Sequence, residues 1–150
     1  MRIIVQNVLD ANLKIDGKEI ASIGRGFVLL VSFTFNDNFE VVDKMATKLI
    51  GLRVFMDING KTNLSLKDVN GEILSVSQFT LYADVKKGNR PSFTDAMPGK
   101  ESIKLYEYFN KKLTELYGPI KTGVFGADMK VNLTNDGPFT LILDSKDIIK

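Results

Sequence analysis

The sequence predicts a mixed α/β domain, and three observations carry that expectation. Apolar runs of strand length alternate with two longer stretches of helical periodicity. Asp-Gly, Asn-Gly and Gly-Pro pairs punctuate them. No repeat, linker or low-complexity segment interrupts the series. The 150 residues, 44% hydrophobic and 25% charged, fit one domain of ordinary soluble composition. A chain of this length buries roughly 70% of its unfolded surface without staples.

The elements follow in order. Ile3, Val5 and Val8 alternate as a strand over residues 2–9. Residues 13–15 and 19–23 flank Asp16-Gly17, a pair suited to the two left-handed positions of a hairpin turn. The apolar run 26–34 reads as a central strand. Asn36-Asp37-Asn38 offers helix caps, and Phe39, Val42, Met45, Ala46, Leu49 and Ile50 place a helix over 38–51. Residues 57–63 form a loop, Asn70-Gly71 a sharp turn, and 73–81 a buried strand. Residues 84–99 are loop-like. A second helix over 99–117 carries Ile103, Tyr106, Phe109, Leu113 and Leu116 on one face and stops at Gly118-Pro119. Two strands, 129–134 and 139–143, are joined by Asn135-Asp136-Gly137-Pro138. Two helices cannot cover both faces of so much sheet, so a second sheet layer or a partner subunit must cover the rest.

Composition also excludes chemistry. The chain has neither cysteine nor histidine, which rules out disulfides, thiolate nucleophiles, Cys/His zinc sites and Ser-His-Asp relays. Catalysis must draw on carboxylates, lysine, hydroxyls, backbone groups or the substrate itself. A net charge of +2 neither demands nor excludes a nucleic-acid partner. No apolar run approaches the ~20 residues of a membrane span. The N-terminus reads as a strand rather than a signal peptide, so a cytoplasmic location is expected.

Three segments can carry chemistry. Ser77-Gln78-Phe79-Thr80 breaks the apolar pattern of a buried strand; read blandly, its hydroxyls satisfy local backbone, and as a nucleophile Thr80 lacks any nearby base. Lys86, Lys87 and Arg90 lie in a turn-rich loop and can neutralise phosphates, though basic loops are common. Asn135-Asp136-Gly137-Pro138-Phe139-Thr140 makes a good β-turn; alternatively Gly137 lets backbone approach a ligand.

These segments, Val76–Leu81, Gly88–Phe93 and Asn135–Thr140, resemble the signatures of the D-aminoacyl-tRNA deacylase family. Leu52–Phe55, Gly60–Asn63 and Gly123–Met129 match in the same order, and the resemblance covers about residues 1–145. It implies a three-layer α/β/β domain working as a homodimer, with no metal or cofactor. Ser77, Gln78, Phe79 and Thr80 would line the catalytic pocket for the terminal aminoacylated adenosine. Phe125 and Met129 would lie near adenine, and polarizable apolar surface suits that base. Gly137-Pro138, a cis peptide flanked by Asn135 and Thr140, would enter the partner's pocket and exclude L-aminoacyl esters, while achiral glycine would pass. Lys86, Lys87 and Arg90 would meet tRNA phosphates. The RNA's terminal 2′-hydroxyl would assist ester cleavage, which fits a chain without histidine. Ser77 and Phe79 match the D-specific branch rather than a relative with Pro-Gln-Ala-Thr at this place.

Two departures stand out. Asn7 replaces an arginine associated with bracing the Gly-Pro motif, so some other group must hold the tip. Leu30-Val31-Ser32-Phe33 replaces the usual Leu-Gly-Val. Two other readings compete: a non-catalytic RNA-binding homodimer, and a hydrolase of small D-amino acid derivatives, which would lack the ribose hydroxyl.

Overall fold

The computed structural model describes residues 1–149. Its strands are β1 (Arg2–Ile15), β2 (Lys18–Ile23), β3 (Gly26–Ser32), β4 (Arg53–Met56), β5 (Thr62–Ser65), β6 (Glu72–Ser77), β7 (Lys121–Thr122) and β8 (Lys130–Asp144). Its helices are α1 (Phe39–Ile50), α2 (Gly99–Leu116) and the short α3 (Ser145–Ile148), with a 3₁₀ turn over Phe79–Tyr82. The fold is α/β, as expected, with a mixed sheet ordered β2-β1-β3-β6-β7 and β8 added along β1. β3, β6 and β7 run parallel; β1 is antiparallel to β2, β3 and β8.

Side-chain alternation builds two cores from one sheet. Phe27, Leu29 and Val31 of β3 face α1 and α2, against Val42, Met45, Leu49, Phe109 and Leu113. Val28 of β3 points the other way, to Val8, Ala11, Leu13, Ala21, Ile23, Leu74 and Val76. A strand buried on both faces needs the continuous apolar run that β3 supplies. The second face is closed without a third helix: the β1–β2 hairpin curls over it and gives the sheet its barrel-like form. That hairpin turns on Asp16 and Gly17, both at positive φ (51° and 76°). The sequence requirement for a second covering layer is thus met by the sheet itself.

Local signals place α1 well: Asn38 caps it, its Oδ1 accepting the Val41 N–H at 3.0 Å. Elsewhere tertiary context redraws the expectations. β1 is one strand rather than two pieces, and residues 130–144 are one strand rather than two. β6 ends at Ser77, and the expected strand to residue 81 becomes the 3₁₀ turn. β4 and β5 form a separate hairpin around the expected loop, and β7 is too short to leave a periodic signal. The buried face of α2 is Ser102, Leu105, Tyr106, Phe109 and Leu113; Leu116 is exposed, so the face is rotated from the expected one.

β8 lies along β1 and switches cores on the way. Phe139 and Leu141 pack with the helix-side core, whereas Val131 and Leu133 pack with the curled side. At the crossing Gln6 pairs with Thr140 and Val8 with Asn135, so residues 136–139 stand opposite Asn7 alone and are pushed out of the ladder. This bulge creates the Gly-Pro tip.

Arg2 and Asp144 clamp one end of the β1–β8 ladder. The guanidinium donates from Nε (3.0 Å) and Nη2 (2.8 Å) to Asp144 Oδ2. Burial alone would raise the Asp144 pKa, but the Lys146 N–H, Arg2 and the Met1 ammonium outweigh it and hold the carboxyl below its ordinary 3.8. The clamp therefore contributes fully above about pH 4 and is lost as pH falls through the lower folded value. Asp144→Asn should cost about 1–2 kcal/mol at neutral pH. Urea midpoints should show the gap from wild type narrowing between about pH 7 and about pH 3; a gap that widens on acidification would contradict the assignment.

Candidate active site

The parallel pair β3–β6 ends at Val31 opposite Ser77. There the backbones part, because the chain turns into the 3₁₀ segment after Gln78 N–H bonds Val31 O at 2.8 Å. A crevice at the carboxyl ends of parallel strands is where α/β sheets hold ligands. Here it is a cleft of about 290 Å³ lined by Val31, Ser32, Val76, Ser77, Gln78, Phe79, Ser102, residues 125–129 and Val131. The size is near the lower end for small-molecule pockets, about 300 Å³.

The cleft gathers residues far apart in sequence. Ser77, Gln78 and Phe79 form one wall; Phe125 and Met129 form another. Phe125 rests against Tyr106 of α2, ring centroids 5.8 Å apart. Met129 packs directly over Gly123: a Cβ at residue 123 would lie 2.5 Å from the methionine sulfur, so a larger residue there would shift the Met129 side chain. Thr80 is exposed and does not line the cleft; its Oγ1 accepts from Gln78 Nε2 at 2.5 Å. Ser32 and Ser102 line the cleft and were not among the residues singled out from sequence. Ser102 carries a legible signal, a polar residue on the otherwise apolar face of α2; Ser32 lies within an apolar strand and gives little.

No strong base sits inside. Asp128 is the one ionisable residue lining the cleft among those described, and its carboxylate is paired with Lys130 Nζ at 2.9 and 3.0 Å. No three His, Cys, Asp or Glu side chains group as metal ligands among the described residues.

The other expected residues lie apart from this chain's cleft. Residues 135–140 do not line it. The Gly137-Pro138 peptide is cis, and Asp136, Gly137 and Pro138 are exposed. Gly137 sits at φ 141°, where an added Cβ would meet Phe139 N at 2.9 Å. Asn135 braces the tip across its base: Oδ1 accepts the Phe139 N–H at 2.6 Å, and Nδ2 donates to Thr140 Oγ1 at 2.9 Å. Asn7, opposite the bulge, turns inward instead and donates to Val54 O at 2.8 Å. The bracing that Asn7 does not offer is thus made within the tip. Lys86, Lys87 and Arg90 are exposed in the loop after the 3₁₀ turn and do not line the cleft. No helix among the described residues is long and apolar enough to cross a membrane.

Comparison with known proteins agrees with this architecture. The profile of the family described as D-Tyr-tRNA(Tyr) deacylase matches residues 4–144. The chain is 57% identical over 144 residues to the D-aminoacyl-tRNA deacylase of Lactobacillus acidophilus, covering 96% of this chain and 99% of that protein. It is 49% identical over 150 residues to the D-aminoacyl-tRNA deacylase of Listeria innocua, covering all of both. A solved structure titled c-Myc DNA Unwinding Element Binding Protein superposes with TM-score 0.91 at 41% identity, over 96% of this chain and 98% of that one. Another, of a probable eukaryotic D-amino acid tRNA deacylase, has TM-score 0.82 at 18% identity over 95% and 97%, and speaks for the fold alone. Matched along nearly its whole length, the chain belongs to the family of D-aminoacyl-tRNA deacylases, hydrolases that cleave the ester joining an amino acid to tRNA.

Proposed function

We propose that the enzyme cleaves D-aminoacyl-tRNA by using the RNA's own terminal 2′-hydroxyl, with the protein positioning the ester and rejecting L substrates. The observation that carries this reading is the composition of the cleft: walled by Phe125 and Met129, with the exposed, ion-paired Asp128 as the one ionisable residue lining it among those described. Ester hydrolysis normally needs a group to take a proton. A neighbouring ribose hydroxyl brings that capacity with the substrate and holds it beside the reacting carbonyl, the geometry from which intramolecular reactions gain most.

Thr80 is a poor alternative nucleophile. Its oxygen already accepts an amide hydrogen, the chain has no histidine, and no lysine lines the cleft. Ser77, Gln78 and Phe79 act instead as the wall that orients the ester. Gly137-Pro138 acts as the chiral filter on the partner subunit's cleft, since its own cleft lies elsewhere. What supports a homodimer is the open edge of β8, which among the described residues pairs only with β1, and the 68% exposure of its Ile142. Glycine, which has no side chain to reject, is also a substrate. A cytoplasmic setting follows from the tRNA substrate. Lys86, Lys87 and Arg90 meet tRNA phosphates. The reading as a non-catalytic RNA-binding dimer rests on the basic loop; the cleft lined by Ser77, Gln78, Phe125 and Met129 favours the catalytic one.

Three experiments test these points. Hydrolysis of D-Tyr-tRNA, with L-Tyr-tRNA and D-tyrosine methyl ester left intact, is the expected pattern; cleavage of the methyl ester at a comparable rate would remove the need for RNA assistance. Thr80→Ala should keep its rate within about tenfold, whereas a substrate ending in 2′-deoxyadenosine should lose roughly a hundredfold or more, about 3 kcal/mol of transition-state stabilisation. A dead Thr80→Ala with a reactive deoxy substrate would reverse the assignment. Asn135→Ala, which loosens the tip without touching the cleft, should lower the ratio of D to L hydrolysis by about tenfold, the effect of one or two lost hydrogen bonds. An unchanged ratio in the folded variant would take the tip out of chiral selection.

A further inference from the structure

A second cavity is built on segments that also line the first. It has a volume of about 470 Å³ and is lined by Arg2, Thr34, Phe35, Asn36, Tyr82, Ala83, Asp84, Lys86, Asp95 and Lys146. The two cavities share the same supporting segments. The strand β3 contributes Val31 and Ser32 to the first, and its continuation gives Thr34 and Phe35 to the second. The 3₁₀ turn contributes Phe79 to the first and Tyr82 to the second. From Ser32 to Thr34 the chain advances about 7 Å before the turn that carries Phe35. A nucleic-acid strand whose last nucleoside fills the first cavity therefore reaches the second with the nucleotide before it.

The lining has the chemistry of a nucleobase site. Phe35 is 55% exposed, an unusual position for a large aromatic and a platform on which a base can stack. The charges are balanced, which argues against a bare phosphate. Arg2 is spent on Asp144 and on Leu81 O, and its guanidinium lies over the Tyr82 ring. That leaves two cations, Lys86 and Lys146, against two carboxylates, Asp84 and Asp95. Among the described residues none of these four is in a salt bridge. The Asp84 Oδ1 accepts the Lys86 N–H, and its other oxygen is free. Tyr82 is 7% exposed, and its buried hydroxyl has no hydrogen-bond partner. A neutral ring bearing both donors and acceptors matches such a set. An exocyclic amine goes to a carboxylate, as when Asp accepts from cytosine N4, and ring acceptors meet lysine.

Resting on the proposed placement of the terminal adenosine, we infer that this second cavity is a subsite for the preceding nucleotide of the tRNA end, a cytidine. Its base stacks on Phe35 and its amine donates to Asp84 or Asp95. Lys86 joins the subsite to the loop holding Lys87 and Arg90, so the RNA backbone leaves along that loop.

The test compares a long and a short substrate. KM and kcat are measured with D-Tyr-tRNA and with the D-tyrosyl ester of adenosine alone, which cannot enter the second cavity. Phe35→Ala and Asp95→Asn should each raise KM for the tRNA about tenfold, the loss of one base–aromatic stack or one base-edge contact. They should leave kcat for the tRNA, and both constants for the adenosine ester, unchanged. A tRNA with uridine before the terminal adenosine should raise the wild-type KM, and Asp95→Asn should shrink that penalty. An unchanged tRNA KM in both variants would overturn the subsite. So would an equal loss on both substrates, which would mark general damage. Failure of the parent reading looks different: Met129→Ala, in the wall of the first cleft, would then leave KM for the adenosine ester unmoved.

Discussion

The pairing of β1 with β8 is the constraint on which the rest of the molecule depends. Both strands run from the helix-covered core to the core beneath the curled hairpin, and they cross between the two near Asn7. A strand has a period of two, so carrying its apolar residues from one core to another needs an irregularity in the ladder. β8 supplies it by ejecting residues 136–139, and β1 responds with the exposed Leu9-Asp10 step. The tip that bears Gly137-Pro138 is thus a consequence of how one sheet serves two cores. Its shape is then fixed locally by the Asn135 hydrogen bonds.

The same two-sided sheet makes the active-site cleft. β3 and β6 are buried on both faces, so they are rigid up to their carboxyl ends, where Val31 and Ser77 are the last partners. Beyond that pair the backbones separate, and side chains from α2 and from residues 123–129 fill in around the gap. A rigid floor with walls from distant segments suits a reaction in which the substrate supplies the reactive group. On the proposed mechanism orientation is the protein's main contribution, and it counts most when the walls do not yield.

The missing histidine connects composition to mechanism. In most hydrolases a protein base occupies the pocket, and its pKa is tuned by burial and neighbours. Here the cleft offers hydroxyls, an amide, aromatic and thioether surface, and one carboxylate already paired with Lys130. Such a lining recognises a nucleoside better than it activates water.

Much of this was legible in the sequence. Asn38 announced the start of α1, Asp16-Gly17 the hairpin, and the run from Gly26 the central strand, because caps, left-handed turns and double-sided burial each impose a local residue requirement. The same holds for the absence of cysteine and histidine, which limits the chemistry from composition alone. The sequence could not show that residues 2–15 and 130–144 are single strands, since their continuity comes from pairing with each other across more than a hundred positions. Nor could it show that the 73–81 run stops at Ser77: the bond from Gln78 to Val31 that turns the chain exists only once β3 is beside it. Ser32 gave no sign of lining the cleft, and Asn7 none of turning toward Val54. Local rules act on neighbours in sequence and so can be read from it. Strand continuity, the cleft and the tip arise from contacts between distant segments, and only the tertiary structure decides those.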